Sequence, residues 1–393
     1  MAKIGIYGGT FNPPHIGHIR AACCAVSALE LDKLLLIPDR IAPHKVMPEG
    51  SATPQQRLEM VRLSAGTDPC LEVTDMELKR EGPSYTYLTV EALKEQYPKD
   101  SLYLLIGTDM FLTFQQWKNA EYLWKNVTLG VFYRGQKDEV DAIARHKEMM
   151  ESLGAKVILI ENPVVDISST QLRRMLVMGC AKPFLTQEVY DYIHSNKLYG
   201  TGENYRGLSL QRLEEVAVEL LDLKRVAHVL GCRDTAAAMA RHWGVDENDA
   251  ARAALLHDIT KALDGKLQLT LCGEYGIVLD TFSAKNPKTL HALTGSLVAQ
   301  RIFGENEAVV SAIRSHTTGK AAMNTLEKII YIADYMEPNR DFPGVERLRQ
   351  LAFTNLDGAM KLGLEMTLTN LEKQGSEISP ESREALAYLN KSL

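Results

Sequence analysis

The segment that most limits the fold of this chain spans residues 8–20 and reads GGTFNPPHIGHIR. The apolar run before it, residues 3–7, is typical of a buried strand. Residues 19–29 after it are rich in alanine and free of proline and glycine, as in a helix. A strand, a glycine turn and a helix in this order begin a doubly wound nucleotide-binding fold, so we expect this turn to bind phosphate. The residues expected in the turn are Gly8, Gly9, Thr10 and Phe11.

Two histidines, His15 and His18, lie three residues apart where the helix is expected to begin. The segment has neither the GK[ST] of a Walker loop nor a GxGxxG fingerprint, so those two nucleotide-binding motifs are excluded here. His15-Ile16-Gly17-His18 resembles the H-x-G-H signature of the nucleotidylyltransferase superfamily. The resemblance implies that both histidines stabilise charge on the transferred phosphoryl group during attack on the α-phosphate of ATP.

The bulk composition of the chain describes a two-domain globular protein. Its 393 residues exceed one ordinary core, and 45% are hydrophobic and 24% charged. A net charge of −6 argues against general nucleic-acid binding, which needs a basic face. The six cysteines form no CxxC pair, which favours reduced thiols. With no apolar run of membrane-spanning length and no signal-like N-terminus, we expect a cytoplasmic protein without membrane contact.

Further strands are expected in the first half at residues 33–38, 71–78, 102–106, 127–133 and 157–160. Lys45 follows the strand at 33–38 on a proline-containing loop, where it is expected as a cation opposite a triphosphate. Asp109 follows Gly107 at a strand-to-helix turn, where it is either an N-cap or a ligand of ribose or of magnesium. Ser169 and Thr170 are expected to cap a helix and bind phosphate together with Arg173.

The first half resembles bacterial nicotinate-mononucleotide adenylyltransferases in the order of its motifs. These are GGTFNPPHIGHIR, PHK, SYT, GTDMF with a later tryptophan, and ISSTQLR. That resemblance implies substrates ATP with Mg²⁺ and nicotinate mononucleotide, and catalysis by His18, Lys45 and Arg173. It also implies that Trp117 stacks on the pyridine ring, although a packing tryptophan is the plain alternative. Tyr85 and Thr86 would receive the nicotinate carboxylate, and Ser169, Thr170 and Arg173 the ATP phosphates. Arg134 is carried over only weakly, because the next residues are Gly-Gln rather than a proline turn.

The pattern of the chain changes after a glycine-rich linker at residues 200–204, so we expect domains at 1–202 and 203–393. The second half has continuous helical periodicity, which predicts an all-α domain after the α/β Rossmann-like one. Imidazoles and carboxylates stand out in it, and together they suit iron, manganese or zinc better than calcium. They are His228, His257, Asp258, His291, His316 and Asp334.

This order of histidines and aspartates resembles the HD phosphohydrolase superfamily. Three motifs resemble those of the HD-type symmetrical diadenosine tetraphosphate hydrolases, namely LLHDITK, HTTGK and YIADYMEPNR. The resemblance implies that the six residues hold one or two metal ions, that water attacks phosphorus, and that the products are two ADP. Lys261, three residues after the catalytic Asp258 on one expected helix face, would reach the phosphate. The other expected phosphate contacts are Thr317, Gly319, Lys320 and Arg340.

The leading interpretation is therefore a bifunctional enzyme acting on ATP, nicotinate mononucleotide and diadenosine tetraphosphate, with a homo-oligomer left open. The tethered hydrolase would remove dinucleotides that the transferase makes by mistake. Three alternatives remain: an adenylyltransferase for another acceptor such as phosphopantetheine, an HD module that senses nucleotides without turnover, and an HD enzyme for a deoxynucleotide or a cyclic phosphodiester.

Overall fold

The computed structural model describes residues 1–43, 46–66, 68–133, 137–162, 165 and 167–392. The chain divides into two compact units, Met1–Glu203 and Asn204–Leu393. This division lies one residue beyond the expected boundary. None of the helices in the described ranges has the length and apolar character needed to span a membrane.

The first unit is built on a parallel six-stranded sheet with the order β3-β2-β1-β4-β5-β6. Ile6 of β1 lies opposite Leu35 of β2 and Leu104 of β4, so the strand order reverses beside β1. Ligands bind at such reversal points, outside the carboxyl ends of the strands. The strands are β1 (Lys3–Gly9), β2 (Lys33–Pro38), β3 (Leu71–Val73), β4 (Ser101–Gly107), β5 (Thr128–Tyr133) and β6 (Lys156–Glu161).

Both faces of the sheet are apolar, as expected where helices cover a parallel sheet on both sides. Ile4 and Ile6 of β1 pack in one buried cluster, whereas Leu34 and Leu36 of β2 pack in the cluster on the other face. The covering helices are α1 (Ile16–Leu29), α2 (Pro54–Ala65), α3 (Met76–Lys79), α4 (Thr86–Gln96), α5 (Thr108–Leu112), α6 (Ala120–Asn126), α7 (Lys137–Ser152), α8 (Ser169–Val177) and α9 (Gln187–Ser195).

The strand expected at residues 71–78 is wrong beyond Val73, because β3 ends there and α3 follows. The local contacts explain the change. Lys79 N–H donates to Asp75 O at 3.1 Å, and the same two side chains form an ion pair at 2.9 Å. Glu77 turns inward and accepts a hydrogen bond from Thr89 at 2.5 Å. One helical turn satisfies these polar groups, which a buried strand would not.

The second unit is helical, with no strand among its described residues. Its helices are α10 (Leu210–Leu220), α11 (Leu223–Trp243), α12 (Glu247–Leu256), α13 (Gly265–Glu274), α14 (Thr281–Lys285), α15 (Leu290–Val298), α16 (Glu307–Ser315), α17 (Thr325–Met336), α18 (Val345–Ala352), α19 (Leu356–Lys373) and α20 (Pro380–Ser392). The expected fold class is confirmed, because an α/β unit is followed by a helical one.

A helix expected from about residue 249 to 263 instead ends at Leu256. Beyond it the backbone makes tight bonds between residues three apart, such as Lys261 N–H to Asp258 O at 2.9 Å. The His257-Asp258 pair therefore lies at a helix C-terminus and in the following turn, not in the middle of a helix. Lys261 consequently reaches its neighbours through a turn rather than along a helix face.

Candidate functional sites

The segment from the end of β1 through the first turn of α1, residues 8–18, brings two imidazoles together and is called the histidine turn below. His15 precedes the first residue of α1, and its N–H donates to Nδ1 of His18 at 3.1 Å. The His18 N–H donates to His15 O at 2.9 Å, and the ring centroids are 3.7 Å apart. Because Nδ1 of His18 accepts a hydrogen bond, the neutral ring carries its proton on Nε2. Such an N–H is a donor of the kind that binds a phosphate oxygen.

His15 is buried, and its Nδ1 has no hydrogen-bond partner in the described part of the chain. Burial lowers the pKa of this imidazole to about 4, so it is neutral at pH 7. A Cβ on Gly17 would lie 2.9 Å from Nδ1 of His15, which explains why the residue between the two histidines has no side chain. The turn therefore holds a buried polar atom that a bound ligand would satisfy.

Helix α8 is tied to the histidine turn by two of its predicted residues. Arg173 Nη1 donates to Asn12 O at 2.7 Å, and Ser169 Oγ donates to Pro13 O at 3.1 Å. Arg173 Nη2 also donates to Thr170 Oγ1 at 3.2 Å. The expected capping role of Ser169 and Thr170 is wrong. Ser168 is the N-cap, since its Oγ accepts from Gln171 N–H at 3.2 Å, and this leaves the next two hydroxyls inside the first turn.

A buried ion pair supports the start of the histidine turn. Arg57 Nη1 donates to Thr10 O at 2.6 Å and to Asp39 Oδ1 at 3.0 Å, while Thr10 Oγ1 donates to Asp39 Oδ2 at 2.8 Å. Phe11 is buried at a φ of 47°, and a Cβ on Gly9 would lie 3.1 Å from its ring. Asp39 and Arg57 were not predicted as site residues, although an acidic residue directly after the second strand was a signal for the first of them.

The residues expected around a pyridine ring lie on neighbouring segments. Tyr85 directly precedes α4, whose first residue is Thr86, and Lys118 Nζ lies 4.3 Å from the centre of the Tyr85 ring. Trp117 is half-buried with its ring 5.0 Å from that of Phe114. It caps the C-terminal end of a short 3₁₀ turn, Phe114–Gln116.

At the carboxyl end of β4, Gly107 is the N-cap of α5 and Asp109 is exposed in the first helical turn. Asp109 is therefore not the N-cap. Strand β4 is hydrogen-bonded to β1, whose last two residues are Gly8 and Gly9, so these glycines end the strand rather than lying in the turn as expected. Lys45 and Arg134 lie outside the described residues.

In the second unit, six predicted residues converge from five helices into one buried cluster, called the cage. His228 Nε2 lies 3.1 Å from Asp334 Oδ1, and His291 Nε2 lies 3.5 Å from Asp258 Oδ1. His316 Nε2 is 3.2 Å from His291 Nε2. The members of the cage are His228, His257, Asp258, His291, His316 and Asp334.

Three imidazoles of the cage are oriented by backbone carbonyls three residues earlier. Nδ1 bonds to the carbonyl oxygen at 2.7 Å for His257, 2.8 Å for His291 and 2.6 Å for His316. These bonds direct Nε2 of each ring into the cage, which is how proteins orient metal-ligating histidines. Nε2 of His257 is buried without a hydrogen-bond partner among the described residues. A metal ion would satisfy that atom, so the donor set fits one.

The protonation states of the cage also suit a metal. Burial lowers the pKa of His291 to about 3 and that of His316 to about 4, so both rings are neutral at pH 7. Burial alone would raise the pKa of Asp258, but the surrounding imidazoles, His257 first, hold it below its usual range. Burial alone would also raise the pKa of Asp334, but the hydrogen bond with His228 and the charges of the nearby imidazoles together hold it well below its usual range. Neutral imidazoles and ionised carboxylates are the forms that bind iron, manganese or zinc.

Three of the predicted phosphate contacts lie beside the cage. Lys261 Nζ is 2.9 Å from His291 Nε2, and Thr317 Oγ1 is 3.1 Å from the same atom. Arg340 Nη2 donates to Asp334 Oδ1 at 2.8 Å.

The other two predicted phosphate contacts face elsewhere. Lys320 Nζ is bound by Glu327 Oε1 at 2.7 Å and by Ser311 Oγ at 3.0 Å. A Cβ on Gly319 would meet the methyl group of Met360 at 3.3 Å. Neither makes a hydrogen bond to a cage residue in the ranges that the structure describes.

Three residues around the cage were missed in the sequence. Arg225 Nη1 pairs with Asp258 Oδ2 at 2.6 Å, and Glu337 Oε1 accepts from His228 Nδ1 at 3.2 Å. Cys232 Sγ lies 3.7 Å from both ring nitrogens of His228. Arg225 and Cys232 lie three residues before and four after that histidine on α11, so helical spacing was the signal that could have found them.

The comparisons with known proteins match each unit separately. A family model described as cytidylyltransferase-like matches residues 6–175, and an HD domain model matches residues 225–339. The probable nicotinate-nucleotide adenylyltransferase of Dictyoglomus thermophilum is 37% identical over 198 residues, covering 50% of this chain and 99% of that protein. The first half of the chain belongs to the nicotinate-nucleotide adenylyltransferase family. Its counterpart from Carboxydothermus hydrogenoformans is also 37% identical, over 199 residues, covering 50% of this chain and 98% of that protein.

This adenylyltransferase unit is followed by an HD domain. A solved structure of a predicted HD superfamily hydrolase involved in NAD metabolism, from Clostridium acetobutylicum, is 35% identical. It covers 47% of this chain and 99% of that chain, with a TM-score of 0.46. The expected adenylyltransferase family of the first half and the HD domain of the second are thereby confirmed.

Proposed function

We propose that the chain is a bifunctional enzyme. The first unit transfers AMP from ATP to nicotinate mononucleotide, giving nicotinate adenine dinucleotide and pyrophosphate. The second unit hydrolyses diadenosine tetraphosphate symmetrically to two ADP. The proposal of the first activity rests on membership of the adenylyltransferase family. The proposal of the second rests on the convergence of six ligand-type side chains in the cage.

In the first reaction, a phosphate oxygen of nicotinate mononucleotide attacks the α-phosphorus of ATP. The new O–P bond forms as the bond to pyrophosphate breaks, so no covalent enzyme intermediate is needed. His18 donates a hydrogen bond from Nε2 to an oxygen of the transferred group. Nδ1 of the buried His15, which has no hydrogen-bond partner among the described residues, is a second contact for that group. Arg173 and Lys45 supply positive charge, and Mg²⁺ neutralises the departing pyrophosphate.

The acceptor is selected by the segments around Tyr85 and Trp117. An aromatic ring at Trp117 stacks on the pyridine, and Tyr85 with Thr86 receives the carboxylate. The position of Lys118 over the Tyr85 ring supports this role, because it brings the two segments together and adds a cation near the expected carboxylate. Phosphopantetheine has no planar ring for such a pocket.

The adenylyl transfer is tested by assaying ATP with nicotinate mononucleotide, nicotinamide mononucleotide and phosphopantetheine as separate acceptors. We expect the nicotinate nucleotide to give the highest kcat/KM. His18→Ala should lower kcat at least about a hundredfold, the usual loss when one transition-state donor is removed. His194→Ala is the matched control, because His194 is exposed on α9 of the same unit. Equal rates in the parent and His18→Ala would exclude this mechanism.

In the second reaction, the cage residues would hold one or two ions of iron, manganese or zinc. When bound, such an ion polarises phosphoryl oxygens and lowers the pKa of water. Lys261 contributes a donor beside His291, with a pKa that burial lowers from its ordinary value. Thr317 adds a hydroxyl at the same place, and Arg340 binds a phosphate of the substrate. The resemblance of LLHDITK, HTTGK and YIADYMEPNR to symmetrical hydrolases supports the choice of substrate.

The hydrolase is tested with protein loaded separately with iron, manganese or zinc. Diadenosine tetraphosphate, a deoxynucleoside triphosphate and a cyclic dinucleotide are incubated with it, and the products are identified by chromatography. Two ADP support the proposal, whereas AMP with ATP would contradict symmetrical cleavage. Nucleotide binding without turnover would identify a sensor instead. His257→Ala should abolish hydrolysis, and His242→Ala is the control because His242 is exposed on α11.

A further inference from the structure

Two arginines lie at the mouth of the cage, each paired with one of its carboxylates. Arg225 Nη1 is 2.6 Å from Asp258 Oδ2, and Arg340 Nη2 is 2.8 Å from Asp334 Oδ1. The side chains of Arg225 and Arg340 are 35% and 39% exposed, whereas those of their partners Asp258 and Asp334 are 3% and 23% exposed. A ligand entering from solvent therefore meets the guanidinium groups before the carboxylates.

The Arg225 pair uses an oxygen that also faces the ligand nitrogens. Asp258 Oδ2 is 3.8 Å from His228 Nε2 and 3.7 Å from His257 Nε2, while Oδ1 of the same carboxylate faces His291 and His316. A metal ion held by His228, His257 and Asp258 would compete with Arg225 for Oδ2. Metal binding thus weakens the bond that holds Arg225 at the carboxylate.

The charges around the cage lead to the same result. The carboxylates of Asp258, Asp334 and Glu337 lie among the cationic side chains of Lys261, Arg225 and Arg340. A divalent ion would add two positive charges to this group, so a metal-loaded cage favours binding of an anion. A guanidinium at the mouth is placed to bind that anion, and its planar fork matches two phosphate oxygens.

We propose that Arg225 is a phosphate-binding residue of the HD unit that exchanges Asp258 for the polyphosphate chain of the substrate when metal binds. Together with Arg340 it gives the mouth of the cage two guanidinium groups, one for each side of a polyphosphate. This inference rests on the proposed hydrolase function for the identity of the substrate. It does not rest on turnover, because binding of the product ADP measures the same contact.

The exchange is tested by calorimetric titration of the full chain with ADP, in the presence and absence of Mn²⁺. The same titration of His257→Ala, in which the cage is incomplete, gives the contribution of the first unit, and this is subtracted. Arg225→Gln removes the charge, and Arg225→Lys keeps it without the fork. Arg241→Gln is the matched control, because Arg241 lies on the same helix in an exposed ion pair with Glu247.

We expect Arg225→Gln to weaken ADP binding about tenfold to a hundredfold with Mn²⁺ present, as for the loss of one charged hydrogen bond. Arg225→Lys should recover part of this loss. Mn²⁺ alone should bind Arg225→Gln at least as tightly as the parent, because the competing guanidinium is gone. Weaker Mn²⁺ binding in Arg225→Gln would instead assign Arg225 the structural role of holding Asp258, and would overturn the proposal.

The two proposals fail in different ways. If ADP binds Arg225→Gln and the parent equally in the presence of Mn²⁺, Arg225 does not bind phosphate, whatever the hydrolysis assay shows. If the parent does not cleave diadenosine tetraphosphate but loses Mn²⁺-dependent ADP binding in Arg225→Gln, the hydrolase proposal fails and the role of Arg225 stands. Thermal unfolding of each variant confirms that the binding change occurs in folded protein.

Discussion

The buried His15 in the histidine turn should make the first unit less stable at mildly acidic pH. Its pKa is lowered from 6.5 to about 4 by burial, so the unfolded chain binds a proton that the folded protein does not. Stability from this residue is fully present above pH 6.5 and is lost as the pH falls from 6.5 to 4. At pH 5 the loss is about 2 kcal/mol, and it reaches about 3 kcal/mol below pH 4.

The assay is denaturant unfolding of the full chain, followed by tryptophan fluorescence at several pH values between 7 and 5. A Trp243→Phe background leaves Trp117 and Trp124, both in the first unit, as the reporters. In this background His15→Gln should lose about 2 kcal/mol less than the parent between pH 7 and pH 5. His194→Gln, at an exposed position on α9, is the matched control.

Two results would refute this reasoning. Equal pH slopes for the parent and His15→Gln would mean that the folded protein protonates His15 as readily as the unfolded chain does. A non-hydrolysable ATP analogue gives an independent check, since a phosphate beside the unpartnered Nδ1 favours the protonated ring. The analogue should therefore flatten the pH dependence of the parent, and an unchanged slope would place the phosphates away from His15.

Three further perturbations have defined outcomes. Gly17→Ala should lower adenylyl transfer at least about tenfold with little change in circular dichroism, because its Cβ would lie 2.9 Å from His15 Nδ1; normal kcat would show that the imidazole can shift without loss. Arg57→Met should cost about 3–5 kcal/mol of unfolding free energy, because it leaves Asp39 buried without its partner; a loss under 1 kcal/mol would contradict that. Chelation of metal should lower the melting temperature of the parent but not that of His257→Ala, since metal at a hundred times its Kd stabilises by about 2.7 kcal/mol.

The sheet of the first unit could be predicted where apolar runs were uninterrupted. Residues 33–38 were expected as a strand and form β2, because a central parallel strand is buried on both faces and its sequence is continuously apolar. The expected strand at 71–78 failed because a short edge segment has no such run. This segment forms a helical turn because Asp75 pairs with Lys79 and Glu77 accepts a hydrogen bond from Thr89. A pattern of apolar residues does not contain these contacts.

The cage shows a similar division between what a sequence does and does not contain. Four of its six ligand-type residues, His257, Asp258, His316 and Asp334, lie in the strings LLHDITK, HTTGK and YIADYMEPNR, and the order of histidines and aspartates added the other two. Arg225 lies outside these strings and Glu337 lies inside one, but the roles of both depend on how α11 packs against the end of α12 and against α17. The sequence also placed Lys320 near phosphate, whereas its ammonium binds Glu327. One ion pair between the loop after α16 and helix α17 decides that outcome, and motif order does not encode it.

In both candidate sites a hydrogen bond between a backbone group and Nδ1 orients an imidazole ring. In the histidine turn a backbone N–H fixes Nδ1 of His18, and in the cage backbone carbonyls fix Nδ1 of His257 and His316. These histidines lie at helix ends, where backbone groups without an intrahelical partner are available. The bond at one ring nitrogen determines which way the other nitrogen points and whether it donates or accepts. At the start of α1 an accepting Nδ1 makes Nε2 a donor suited to phosphate, whereas at the ends of α12 and α16 a donating Nδ1 leaves Nε2 a lone pair suited to a metal.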